Sequence, residues 1–219
     1  GTANLDLGKG LTQSFLYSNA MFWLKYFHVD GFRVDAVSNI IYYLGNPANG
    51  VNEGACDFLR GLSRNLFAYD DRVLLMAEDS SAHDGVTRPV DMGGLGFNYK
   101  WNMGWMNDTL RYFKLDPIYR KYHHNLITFG LVYGFSEQFI LPLSHDEVVH
   151  LKASLLNKMP GDYWQKFANY RALMGLMMTH PGKKLLFMGG EFAHYTEWNF
   201  KKELDWNLYK YPAHDSANR

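Results

Sequence analysis

The stretch HVDGFRVDAV, residues 28–37, alternates in side-chain character and is rich in β-branched and aromatic residues. Successive residues of a strand point to opposite faces, so Arg33 and Asp35 share one side while Phe32, Val34 and Ala36 share the other. The pattern predicts a strand. Before it, Leu16, Ala20, Trp23 and Phe27 recur every three or four residues, which predicts an amphipathic helix over 11–27 with that stripe against a core. After it, a Gly/Asn/Pro-rich loop at 45–54 leads to a helix near 55–68, and RVLLMAED at 72–79 is a short buried strand ending in acid. Farther on, GGLGFNYKWN at 93–102 predicts a loop feeding a short strand, and FILPLSHDE at 139–147 a clearer strand. A helix is expected over 162–179, and KKLLFMGGEFA at 183–193 is an apolar strand that stops at a glycine pair. Repeated strand-then-helix order makes the fold class α/β, with a parallel sheet and helices outside it, either a barrel or a doubly wound fold.

Composition narrows the partners. The 219 residues are 47% hydrophobic and 20% charged, a globular balance, and no repeat, low-complexity tract or linker divides them. Lys plus Arg and Asp plus Glu number 22 each, giving a formal net charge of +0 with no basic stripe, so neither nucleic acid nor an anionic membrane is expected as a partner. A neutral substrate fits better. The lone cysteine, Cys56, excludes an internal disulfide framework and a four-cysteine zinc site and points to a reducing compartment, with the cytoplasm as the expectation. No apolar run is long enough to span a bilayer, and the opening GTANLDLGKG lacks a basic-then-apolar signal pattern.

Acidic or imidazole side chains fall at or near the C-terminal ends of three predicted strands: Asp35, Glu78, and the pair His145 and Asp146. In a (β/α)8 barrel those ends form the active face, where groups remote in sequence converge. Taken singly, such acids are ordinary solvated loop residues or helix N-caps; three strand ends together favour a site. Retaining cleavage of a glycosidic bond needs one carboxylate as nucleophile and another as acid then base, about 5–5.5 Å apart. Arg33 would favour the ionised form of Asp35 beside it, which suits the nucleophile. Glu78 closes the run Val73–Ala77, and apolar walls would help it keep a proton, which suits the acid/base. Asp146 could hold sugar hydroxyls and His145 donate to the same ring, both strengthening contacts in an oxocarbenium-like transition state. A structural ion pair for Arg33 and Asp35, and a satisfied strand-end histidine for His145, remain open alternatives. Trp101 and Trp198 are the candidate sugar-contacting aromatics, against plain core packing for either ring.

The segments GFRVDAV at 31–37, MAED at 76–79 and LSHDEV at 143–148 resemble signature segments of the α-amylase-type glycoside hydrolases and transglycosylases, glycoside hydrolase family 13. Longer stretches at 88–110, 116–130, 142–162 and 181–199 are similar, within that family, to the glycogen branching enzymes, so that the resemblance covers nearly the whole chain. It implies a partial (β/α)8 barrel, roughly strands four to eight with their helices. Strands one to three, an N-terminal glycan-binding β-domain and most of a C-terminal β-domain would then have no counterpart in residues 1–219. Carried over by position, Asp35 is the nucleophile, Glu78 the acid/base, Asp146 the third carboxylate, and Arg33 and His145 sugar-site partners. The implied activity is glucan transfer forming α-1,6 branches on amylose or glycogen, with no cofactor and no metal. An α-glucan hydrolase, a debranching enzyme or a catalytically silent glycan-binding relative are the rival activities. An open barrel also leads to the expectation that these residues alone are poorly soluble or inactive.

Overall fold

A computed structural model describes residues 5–219; the first four residues of the GTANLDLGKG opening lie outside them. The strands are β1 (Gly31–Val34), β2 (Leu74–Ala77), β3 (Tyr99–Trp101), β4 (Phe139–Leu143) and β5 (Lys183–Leu186), hydrogen-bonded in the order β1-β2-β3-β4-β5. β2 runs parallel to both β1 and β3, and β4 runs parallel to β5. The helices are α1 (Gly10–Phe27), α2 (Val37–Ile41), α3 (Glu53–Tyr69), α4 (Met103–Lys114), α5 (Pro117–Arg120), α6 (Asn125–Tyr133), α7 (Tyr163–Thr179) and α8 (Pro212–Asn218); they separate the strands except β2 and β3, which a loop with one short 3-10 turn, Val90–Met92, connects. The result is an α/β fold built on a five-stranded parallel sheet. Among the described residues no helix is long and apolar enough to cross a membrane.

The residues form two compact units, one running through Trp101 and taking in Ser136–Phe139, the other comprising Asn102–Phe135 and Ile140–Arg219. In the first, α3 starts where the Asn52 side chain accepts from the Ala55 N–H, satisfying one of the donors a helix start leaves open. Its residues Ala55, Phe58, Leu59, Leu62 and Leu66 recur at helical spacing and are buried. Each fully buried leucine or phenylalanine contributes about 1.5–3 kcal/mol, as an upper estimate. Phe58, Leu59, Leu62 and Leu66 pack with Leu24, Val37, Ile41, Leu75 and Phe97.

Helix α1 departs from its predicted face. Ala20 and Leu24 are buried, with Leu16, Tyr17 and Met21 partly so, whereas Trp23 is 41% and Phe27 57% exposed. Apolar residues ring this helix, so periodicity alone cannot choose a side; contact with α3 chooses it, through Tyr17 stacked on Phe58 at 5.3 Å and donating to its carbonyl at 3.1 Å.

The predicted strands are also shorter than their apolar stretches. HVDGFRVDAV is strand only over Gly31–Val34, because Ala36 takes a left-handed conformation (φ 47°) that breaks the ladder and starts α2. Gly31 is required at its position: a Cβ there would lie 2.2 Å from the Leu74 carbonyl oxygen. KKLLFMGGEFA leaves the ladder after Leu186 and turns through Gly189 (φ 86°).

In the second unit, α7 carries a reciprocal cap: the Gln165 N–H donates to the Asp162 side chain at 2.8 Å, and the Asp162 N–H to the Gln165 side chain at 2.9 Å. Phe167, Tyr170, Leu173 and Met177 of α7 pack on Leu141 and Leu143 of β4 and on Trp105, Met106 and Leu110 of α4. β4 is buried along its length, as parallel strands covered on both faces are.

Candidate active site

Register decides what meets at the strand ends. Arg33 is level with Met76, and Met76 with Tyr99. Two residues further along each chain come Asp35, Glu78 and Trp101, so these four side chains issue from one face of the β1–β3 ladder near its C-terminal end. A nitrogen of the Arg33 guanidinium, Nη2, lies 2.6 Å from Asp35 Oδ1 and 3.6 Å from Glu78 Oε2. One cation therefore bridges the two acids that sequence alone assigned as nucleophile and acid/base. A separation of about 5–5.5 Å between two such carboxyls is compatible with this span.

The acids differ in exposure and support. Asp35 sits in the turn after β1 with its side chain 75% exposed, free of other ion-pair partners among the described residues. Glu78 is largely covered, at 17%, and clasped by backbone: the Ala36 N–H donates to its Oε2 at 2.6 Å, and the Val37 N–H to its carbonyl at 2.8 Å. Against the expectation from sequence, the apolar run Val73–Ala77 does not wall this carboxyl. Leu75 and Ala77 are buried on the opposite face, and what meets the carboxyl oxygen is an N–H and a guanidinium.

Trp101 is 4% exposed, and the Arg33 guanidinium carbon lies 4.5 Å from its ring centroid. A ring so placed has little surface left for a sugar, so the expected sugar contact gives way to a contact with Arg33. Behind this group the pleat sends Asp79 and Lys100 to the other face. There they form an almost fully buried ion pair at 2.9 Å, and Asp79 also accepts from the Ser81 N–H and hydroxyl, both at 3.0 Å. Lys100 Nζ donates to the Ser81 carbonyl at 2.8 Å, so the pair fixes the chain that leaves Glu78.

In the second unit, His145 and Asp146 open a one-turn helix, His145–Val148, directly after β4. His145 Nε2 and Asp146 Oδ1 are 3.4 Å apart. The His145 ring meets Phe187 at 5.9 Å between centroids, and Phe187 meets Trp198 edge-on at 5.0 Å, so the three rings form a row. The Trp198 N–H donates to the Val148 carbonyl at 3.0 Å, tying that row to the turn carrying Asp146.

The loop that follows is unusual. His150, Leu151 and Ala153 all have left-handed backbone (φ 56°, 66° and 63°), a conformation that non-glycine residues seldom adopt. The two oxygens of Glu197 hold it by accepting from the Leu151 and Ala153 N–H groups, both at 2.9 Å, and these bonds put the Glu197 carboxyl below its ordinary range. From the other side Lys158 donates to the Lys152 and Ala153 carbonyls, and Lys152 Nζ to the Asp146 carbonyl at 2.7 Å. Burial pushes Lys158 down to about 8. Sequence reasoning missed Ala36, Asp79, Lys100, Lys158 and Glu197. Only the Asp79–Lys100 pair left a trace, in the alternation that opposes Asp79 to Glu78 and Lys100 to Trp101.

The class that fold and site define is an α/β protein with a guanidinium-bridged pair of carboxylates at the ends of adjacent parallel strands. No protein-family model matches the chain. Over 214 residues, 98% of its length, it is 60% identical to proteins named 1,4-alpha-glucan branching enzyme GlgB from Bacillus mycoides (strain KBAB4), Bacillus cereus (strain AH820) and Bacillus anthracis (strain CDC 684 / NRRL 3495). The chain spans 33% of the length of each of these relatives.

Proposed function

We propose that this chain is part of a 1,4-α-glucan branching enzyme acting in glycogen biosynthesis, and that its strands are the fourth to eighth of a (β/α)8 catalytic barrel. The observation that carries the proposal is the single guanidinium nitrogen of Arg33 within reach of both Asp35 and Glu78. The close similarity to proteins named as branching enzymes supports the choice of reaction. In the first step the Asp35 carboxylate attacks the anomeric carbon of an α-1,4 bond while Glu78 gives its proton to the departing 4-oxygen, leaving a glucan ester on Asp35. In the second, Glu78 takes the proton of an incoming 6-hydroxyl, which attacks the same carbon and frees Asp35 with an α-1,6 branch made. Protons balance over the cycle. Asp146 and His145 bind sugar hydroxyls of the glucan, and Trp198 offers it an aromatic contact. The substrate is an α-glucan such as amylose or glycogen, and the compartment is the cytoplasm.

Incubating the complete natural protein with amylose tests this. Branching gives new α-1,6 anomeric proton signals with almost no new reducing ends. Reducing ends rising in step with bond cleavage would establish hydrolysis instead and sink the proposal.

A further inference from the structure

Arg33 joins the two acids, but nothing in its own strand holds it there. Its side chain leaves β1 and reaches across β2 towards β3, two strand spacings of about 4.8 Å each. A side chain with that reach samples many rotamers unless something at the far end fixes it. Its Nε is buried and has no hydrogen-bond partner among the described residues, so what ties the head group to the acids is ion pairing at Nη2. What lies under the guanidinium is the face of Trp101, 4.5 Å from its central carbon. The Trp101 indole N–H is likewise buried and unpartnered, so no hydrogen bond from that ring competes with the stacking contact. The ring itself is held from below, because β3 pairs with β2 in fixed register and Trp101 is nearly inaccessible to solvent.

We propose that Trp101 is the positioning residue for Arg33: its indole face seats the guanidinium by cation–π stacking so that Nη2 spans Asp35 and Glu78. The indole is the strongest aromatic platform for a cation, and a planar guanidinium stacks on it better than an ammonium does. Trp101 touches no reacting atom in this scheme and acts only through Arg33. The activity readouts below rest on the branching proposal; the structural one does not.

The test uses the complete protein with Trp101→Leu, Trp101→Phe, Arg33→Ala and the double variant Arg33→Ala/Trp101→Leu. Crystal structures of the two single Trp101 variants should show Arg33 Nη2 out of reach of both carboxylates in the leucine form and near them in the phenylalanine form. Branching on amylose should fall about 10-fold or more in kcat for Trp101→Leu with KM little changed, and Trp101→Phe should recover most of it. In the Arg33→Ala background, Trp101→Leu should remove almost nothing further, since the two residues act as one unit. An Arg33 that stays on both acids in Trp101→Leu overturns the proposal, as do equal losses in the two Trp101 variants or additive losses in the double variant. If Trp101→Leu does not fold, the phenylalanine variant decides: an Arg33 displaced from the acids there, with its ring still present, overturns the stacking. A wild-type protein that makes no α-1,6 linkage removes the branching proposal alone, and the position of Arg33 in the variants still decides this one.

Discussion

The Asp35–Glu78 group and the His145–Asp146 group both stand at the ends of parallel strands, yet they are held by different means. In the first, spacing follows from a hydrogen-bonded ladder whose register sets Arg33, Met76 and Tyr99 level, two residues before Asp35, Glu78 and Trp101, with a buried ion pair on the back face locking the exit of β2. In the second, the acid lies in a one-turn helix, and the loop after it is kept in a left-handed path by Glu197 and Lys158. A ladder fixes position through many weak backbone bonds, while a strap fixes it through two or three side chains. The first should tolerate conservative changes around it and fail when its own charges, the ring that seats Arg33 or the ion pair behind it are removed. The second should respond to single distant substitutions and to pH.

The largest effect is expected for Asp35→Asn, which removes the proposed nucleophile and should lower branching by about 10^4-fold or more while leaving the melting temperature nearly unchanged. Residual activity within about 100-fold of wild type, measured by α-1,6 linkage formation, would mean that the β1–β3 group is not the reaction centre.

Lys100→Met attacks the ladder from behind. It strands Asp79 as a buried unpaired charge, and breaking such a pair by removing one partner costs about 3–5 kcal/mol. Urea denaturation should show that loss, and with it weaker branching through a displaced Glu78. Stability within about 1 kcal/mol of wild type would show that water already reaches Asp79.

Glu197→Gln tests the strap. The amide keeps one acceptor oxygen where the carboxylate offered two, so one of the Leu151 and Ala153 N–H bonds is lost. Branching should fall about 10-fold, and limited proteolysis should cut near residues 150–153 first. Because the Glu197 carboxyl is held below its ordinary value of 4.5, its contribution is full above that value and fades as pH drops through the lower folded value. Protease susceptibility of the wild-type loop should therefore rise on acidification and that of the glutamine form should not.

The smallest effect belongs to Lys158. Its folded value of about 8 lies below the ordinary 10.5, so between those values the unfolded chain binds more protons than the folded one. Stability attributable to Lys158 must then increase as pH rises from about 8 towards 10.5 and stay flat below that window. Melting temperatures of wild type and Lys158→Met, compared from pH 7 to 10, should diverge in favour of wild type; parallel curves would mean that the ammonium is not desolvated.

Much of this was legible in the amino-acid sequence. Alternation in HVDGFRVDAV and apolar density in RVLLMAED and FILPLSHDE determined the order of the strands, the parallel α/β class, and Arg33, Asp35, Glu78, His145 and Asp146 as the groups to examine, while periodicity gave α1, α3 and α7 but not α4 or α6. These signals are local, written in periods of two and near four residues that each segment carries by itself. Only the tertiary structure decided which face of α1 is buried, that Ala36 turns left-handed to offer Glu78 its N–H, and that Trp101 lies beneath Arg33 rather than open to a ligand. It also decided that Glu197 reaches back 46 residues to hold the loop after Asp146. Such contacts depend on register and packing between segments far apart in the chain, and no periodicity within one segment encodes its partner in another.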